Sequence, residues 1–306
     1  MSASGARTQG RSSQRGSADE PWTVLRLILW SADYLREKGV ESGRLDAEHM
    51  LAHVVGVDRL QLYLQFERPL TRAELDAFRP LLKRRAAREP LQYILGHQPF
   101  RELDLVVEPG VLIPRPETEV LVGEVLAWLE RSGREAPVAL EVGAGSGAIC
   151  LSLAYEGYNT HIIATDVSET ALKVARRNRD AAALVDRVDL RHGSLFEPMR
   201  EEERFDVIVS NPPYVAEVDE AALETEVRDW EPREALFGGT DGLDLIRRIV
   251  GGARRFLKDG GLLALEVGVD QTEEVAELIR DTGQYDEVRI LRDYSGRKRF
   301  VFAHGA

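Results

Sequence analysis

A single cysteine in 306 residues, Cys150, rules out a framework of disulfide bridges. It falls in the apolar run Ala148-Ile-Cys-Leu-Ser-Leu-Ala154, where a thiol serves as small buried filler. No apolar run is long enough to cross a bilayer, and the stretch Val24–Trp30 is already broken by Arg26. Residues 1–20 lack the apolar segment of a secretory leader; small, polar and Arg-bearing, they read as a disordered tail. A cytoplasmic location without membrane attachment is the expectation. Metal ligands are scarce as well. His49 and His53 share a helix face at i, i+4, but no third ligand accompanies them, so no metal site is expected.

Basic residues are in short supply where they would matter for nucleic acid. The net charge is −12, and residues 116–306 hold 23 Lys/Arg against 37 Asp/Glu, net −14, while residues 1–20 and 21–115 each carry net +1. An acidic half repels phosphate backbones, so no direct nucleic-acid substrate is expected.

What is present divides in two. Over residues 21–96 apolar residues recur at spacings of three and four, as in Val24, Leu25, Ile28, Leu29 and Leu35 and then Leu45, Met50, Leu51, Val54 and Val55. Thr71 and Glu74 form a capping-box pattern that opens another helix. This all-α module reads as a docking domain for a macromolecular substrate, with a packing appendage as the plainer alternative. The run Lys83-Arg84-Arg85 with Arg88 reads as a solvated helix face, with contact to ribosomal RNA or an acidic protein face as the alternative. Residues 97–115 suggest a β-hairpin linker. From Val138 strands (138–142, 161–165, 188–191, 205–210, 262–267) alternate with helices (about 147–156, 169–182, 243–257, 272–282), which specifies a parallel sheet covered on both faces. The last two strands, 287–292 and 299–303, have no room between them for a helix and should pair antiparallel. The expected fold is therefore α/β, a Rossmann-like sheet over 116–306 that ends in an antiparallel hairpin, the layout of class I methyltransferases.

Two motifs carry chemistry. Residues 208–215, Ile-Val-Ser-Asn-Pro-Pro-Tyr-Val, bring a strand to an enforced stop, because neither proline can donate to a ladder. The Asn211 Oδ1 and the Pro212 carbonyl can each accept one N–H of a planar NH2 group, and Tyr214 can stack on that plane. Such acceptors localise the lone pair of a poor nucleophile and aim it at an electrophile. The second motif is the loop Gly143-Ala144-Gly145-Ser146-Gly147 after the first strand, with Asp166 at the end of the next, where a carboxylate can take a ribose. The glycines alone also satisfy a loose dinucleotide pattern. A nicotinamide gives no reason for the Asn-Pro-Pro-Tyr site, whereas a sulfonium methyl donor does.

From about residue 22 onward the chain resembles the peptide-chain release factor glutamine methyltransferases (the PrmC/HemK family). The carriers are Arg88-Glu-Pro-Leu-Gln-Tyr-Ile-Leu-Gly96, Leu112-Ile-Pro-Arg-Pro-Glu-Thr-Glu119, the loop 141–147, Asn211–Tyr214, Glu231-Pro-Arg-Glu-Ala-Leu-Phe-Gly238 with Asp241-Gly242, and Arg292-Asp-Tyr-Ser-Gly-Arg297. The resemblance implies a class I S-adenosyl-L-methionine-dependent methyltransferase that acts as a monomer on the Gly-Gly-Gln glutamine of release factors, giving N5-methylglutamine. It places Gly143–Gly147 at the amino-acid end of the methyl donor, Asp166 at the ribose and Leu195 by the adenine. Asn211 would contact both methyl donor and glutamine, and Pro212, Pro213 and Tyr214 would shape the glutamine slot. Arg115 and Glu117 are either a lid over donor and substrate or a domain-locking salt bridge, and Trp230, Glu231 and Pro232 either close the slot or anchor a loop. Glu141 stands where the family often has Asp, and Ser194 where an acidic residue often precedes the adenine-side position. Three alternatives share parts of the pattern: a glutamine methyltransferase for a ribosomal protein, an N6-adenine nucleic-acid methyltransferase, and a non-catalytic binding protein of the translation machinery. An NAD oxidoreductase fits least, since no catalytic Tyr–Lys or His–Asp arrangement accompanies the glycines.

Overall fold

A computed structural model describes residues 21–306, so the tail expected over residues 1–20 lies outside the described residues. Contacts divide the chain at Ala87/Arg88, ahead of the boundary at residue 96 read from the sequence. No helix among the described residues is long and apolar enough to cross a membrane.

The first unit is helical: α1 (Val24–Glu37), α2 (Gly43–Val55), α3 (Arg59–Tyr63) and α4 (Arg72–Ala86). Thr23 caps α1 by accepting the Arg26 N–H, and Thr71 and Glu74 cap α4 reciprocally, as their spacing requires. Leu27, Ile28 and Leu35 of α1 and Met50 and Leu51 of α2 are buried, each such side chain stabilising by about 1.5–3 kcal/mol. The helices approach closely at Gly43, where a Cβ would meet Ala32 O and Leu35 Cβ at 3.0 Å. Only part of the basic run is a solvated face, Lys83 and Arg84, which are exposed. Arg85 is only 5% exposed and pairs with Asp46 of α2 at 2.7 Å, while Arg88 lies beyond the end of α4 and pairs with Glu226.

The second unit opens with α5 (Leu91–Leu95) and the antiparallel hairpin β1 (His97–Phe100) and β2 (Leu103–Val106). Then follow α6 (Pro116–Ser132), β3 (Val138–Val142), α7 (Ala148–Glu156), β4 (His161–Asp166), α8 (Glu169–Ala181), β5 (Val188–His192) and β6 (Phe205–Ser210). After a 3₁₀ turn (Glu217–Ala222) come α9 (Thr225–Trp230), α10 (Arg233–Leu236), α11 (Asp244–Ala253), β7 (Leu257–Glu266), α12 (Thr272–Asp281), β8 (Tyr285–Arg292) and β9 (Lys298–Gly305). One seven-stranded sheet runs in the order β5-β4-β3-β6-β7-β9-β8, parallel through β7 and antiparallel where β9 joins β7 and β8. The closing hairpin is the one expected from the short connection. Side chains alternate as period two demands: Ala139, Val207, Val209, Leu262 and Ala264 join the core with α6 and α7, and Leu140, Ile208, Leu263 and Leu265 join that with α11 and α12. Every residue of β6 is buried: Val207–Val209 are a continuous apolar run, and the buried Asp206 pairs with Arg134 and Lys258. Several elements differ from the periodicity reading, among them α6, where no helix was expected. The helix expected to reach residue 257 stops at Ala253, and β7 starts at Leu257 through an irregular register opposite Phe205–Val207.

Candidate active site

Strands β3 and β6 lie side by side, yet the chain leaves β3 toward β4 and leaves β6 toward β7. Their carboxyl ends therefore flank a crevice at the point where the winding reverses, the usual ligand position in such sheets. A cleft lined by the ends of both strands opens there. Its floor is tied across the two strands by the Ser210 hydroxyl, which donates to the Val142 carbonyl at 2.6 Å.

On the β3 side the chain turns through Gly143, Gly145 and Gly147, at φ of 86°, 54° and 87°, values that side chains other than glycine rarely tolerate. The Gly143 and Ala144 N–H groups both donate to the Thr165 carbonyl, which brings the loop down against the end of β4. Gly143 and Gly145 line the cleft, and a Cβ on either would meet no protein atom. Ala144, Ser146 and Gly147 do not line it; they shape the turn behind it, and a Cβ on Gly147 would strike Leu151 at 2.9 Å. Asp166 lines the cleft at the end of β4. Its two oxygens each accept one backbone N–H, from Gly145 and Ser168, both at 2.8 Å, which leaves a free lone pair on each. Burial raises its pKa, against the pull of those backbone donors. Leu195 also lines the cleft, held at φ 51° with its carbonyl accepting from Thr165 Oγ1 at 3.0 Å.

Glu141 does not enter the cleft. Fully buried, it reaches under the loop to accept the Cys150 N–H at 2.9 Å in the first turn of α7, whose own N-cap, Gly147, has no side chain to do so. Burial raises its pKa to about 8. Cys150, also buried, has its thiol pKa pushed up, first by burial and then by Glu141, in keeping with a packing role.

On the β6 side Asn211, Pro212 and Pro213 line the cleft. Asn211 Nδ2 donates to Thr118 Oγ1 at 3.1 Å, and the Thr118 hydroxyl in turn donates to Glu266 Oε2 at 2.8 Å. Thr118 comes from the first turn of α6 and Glu266 from the end of β7; both are buried, and burial raises the Glu266 pKa to about 7. Tyr214 is not among the residues that line the cleft. Its ring lies under the Arg299 guanidinium, 5.6 Å from centroid to carbon, and packs against the α11/α12 core.

Residues 231–242 close behind this loop. Val215 and Leu236–Gly238 exchange backbone hydrogen bonds, and Gln271 donates to the Tyr214 carbonyl at 2.9 Å. A Cβ on Gly238 would sit 2.4 Å from the Pro213 carbonyl oxygen, and one on Gly242 would sit 2.2 Å from that of Tyr214. Arg115 pairs with Glu231, whose other oxygen accepts the Ile113 N–H at 3.3 Å. The pair joins segments of one unit and so does not lock two domains together. Pro232 lines the cleft, whereas Trp230 packs against Tyr93, Val107 and Ile113. Glu117 lies near enough to Glu266 to raise its pKa.

The signal for Thr118 was present inside the Pro-Arg-Pro-Glu-Thr segment, but nothing local to Glu266 distinguishes it from any buried strand end. The ionisable residues that line the cleft are Asp166 and Glu234, both acidic. Among the described residues no group of three or more His, Cys, Asp or Glu has the geometry to hold a metal.

Known proteins align with both units. The PrmC N-terminal domain family matches residues 26–96, and the methyltransferase small domain family matches residues 121–227. A release factor glutamine methyltransferase of Geobacter sulfurreducens is 47% identical over 92% of this chain and 96% of its own length. One from Rhodopirellula baltica is 39% identical over 93% and 97%. Among solved structures, a T. thermophilus 16S rRNA N2 G1207 methyltransferase in complex with AdoMet and guanosine superposes with a TM-score of 0.52 at 21% identity. It covers 69% of this chain and 50% of that one, a likeness of fold.

Proposed function

The chain belongs to the release factor glutamine methyltransferases, and from that we propose that it moves a methyl group from S-adenosyl-L-methionine to the side-chain amide nitrogen of the Gly-Gly-Gln glutamine of peptide-chain release factors. The observation that carries this reading is the Asn211–Thr118–Glu266 chain of hydrogen bonds. With its NH2 spent on Thr118, Asn211 keeps Oδ1 as an acceptor at the cleft, where the group to be gripped is itself an NH2.

The cleft fits the methyl donor on its own chemistry. Gly143 and Gly145 leave space where side chains would stand, Asp166 has two lone pairs for the ribose hydroxyls, and Leu195 offers an apolar flank to the adenine. A pyrophosphate would face Asp166 and Glu234 without a lining Lys or Arg, whereas a cationic sulfonium is favoured there. When bound, S-adenosyl-L-methionine supplies an electrophilic methyl group.

The protein's own residues then act by position and polarity. Asn211 Oδ1 and the Pro212 carbonyl accept the two N–H bonds of the acceptor amide, which draws the nitrogen lone pair out of conjugation and holds it in line. Pro213 bounds the slot, and Tyr214, steadied by Arg299, supports it from behind. Proton loss from the product amide needs no dedicated base. Asn211→Ala is expected to lower turnover by about 10²–10³-fold with folding intact, the scale of removing one pre-aimed polar contact; near-full turnover of a folded variant would refute the role of Asn211.

A further inference from the structure

We propose that Thr118 and Glu266 are positioning residues that set the polarity of the Asn211 amide and thereby make the slot select an NH2 group. The inference rests on the glutamine-amide reading above and extends it to two residues that do not line the cleft.

An ionised carboxylate can only accept hydrogen bonds, so the single hydroxyl hydrogen of Thr118 goes to Glu266. The Thr118 oxygen then has only lone pairs left for Asn211 and must meet its Nδ2. The Asn211 amide has two faces of opposite polarity, and this chain permits one of them: NH2 inward, Oδ1 free. All three groups are withdrawn from bulk water or partly so, Thr118 at 4% and Glu266 at 1% exposure, so a mismatched arrangement has no solvent to repair it.

A proton on Glu266 reverses the logic. The carboxylic O–H then donates to Thr118, the Thr118 hydrogen turns to Asn211, and the amide satisfies it by rotating Oδ1 inward. The outward group becomes NH2, which cannot bond an acceptor NH2 and instead suits a carbonyl or carboxylate oxygen. The groups that act on Glu266 are the Thr118 hydroxyl and Glu117 on α6, Arg299 on β9 and Arg115 ahead of α6, and the Tyr214 phenol after β6 also faces it. Burial, with Glu117 adding to it, raises the pKa to about 7, against the Thr118 hydrogen bond and the two cations, which favour the ionised form. The switch therefore falls near neutral pH.

The test uses full-length protein with a purified release factor and labelled S-adenosyl-L-methionine, both saturating. Wild-type kcat is expected to fall on the acid side with a midpoint near 7, and Glu266→Gln, which has no proton to gain, to lose that limb. Thr118→Val is expected to lose about 10²-fold in kcat at pH 8, the cost of a misaimed contact, while binding the methyl donor as wild type does. Thr118→Ser, which restores the hydroxyl, should recover most of that loss. A purely structural role for Thr118 would lower stability without moving the pH profile. A second readout needs no acceptor: the Asn211 side-chain amide resonances, assigned with Asn211→Ala, should shift with pH in wild type and stay fixed in Glu266→Gln. An acid limb unchanged in Glu266→Gln, a Thr118→Val kcat within twofold of wild type, or Asn211 resonances that ignore pH would overturn the proposal. Failure of the wild type to label the release factor counts instead against the substrate reading, and the resonance titration still decides the relay.

Discussion

At the scale of single residues, Asn211 and Asp166 were legible because their positions follow from chain logic alone. A proline pair ends a strand, and a carboxylate at the end of the second strand faces the crevice. Glu266 was not legible. It lies 148 residues from Thr118, and only the fold brings the two within 2.8 Å. Glu141 shows how a departure from a family pattern acquires a physical meaning: its longer side chain reaches the Cys150 N–H and replaces the cap that Gly147 cannot provide. A carboxyl whose pKa is raised to about 8 in the folded protein holds a proton that the unfolded chain has already released at neutral pH. The folded state thus binds more protons between the ordinary glutamate range and pH 8, and this group's contribution to stability declines as pH rises through that window. Glu141→Gln keeps the acceptor and removes the titration. Its Tm relative to wild type is expected to increase from pH 5 to pH 9 in thermal melts, and a difference independent of pH would show that Glu141 is not protonated in the native state.

At the scale of elements, the strand–helix alternation was readable because period-two and period-3.6 patterns are separated by glycine turns. The helix α6 was hidden, since its buried face (Leu121, Val122, Val125, Leu129) begins inside a segment whose prolines read as linker. Nor did the sequence explain why Gly238 and Gly242 recur after Asn-Pro-Pro-Tyr. The structure does: the segment passes so close behind the loop that only glycine fits under the Pro213 and Tyr214 carbonyls. Gly242 adds a φ of 78°, unfavourable for any side chain. Gly242→Ala is therefore expected to cost about 1–3 kcal/mol in urea unfolding and to lower kcat by displacing the loop that carries Asn211. Stability and turnover equal to wild type would mean the loop does not depend on that close approach.

At the scale of the whole molecule, composition narrowed the field before any motif did. The acidic balance of residues 116–306 spoke against phosphate ligands, and the cleft repeats that sign locally with Asp166 and Glu234. What the sequence could not convey is the way the site depends on distant segments. The cleft draws on residues from Gly110 to Ile249, and the orientation of one amide is set by a helix start and a strand end far away in the chain.

The reaction proposed for this protein transfers one methyl group to one glutamine. Its most direct test is incubation of the protein with labelled S-adenosyl-L-methionine and purified release factor, wild type or with the Gly-Gly-Gln glutamine replaced, followed by mass mapping of the labelled peptide. Label confined to that glutamine, and absent from the substituted release factor, is the predicted result. Label elsewhere on the release factor, or no transfer by an enzyme that binds the methyl donor, would contradict it.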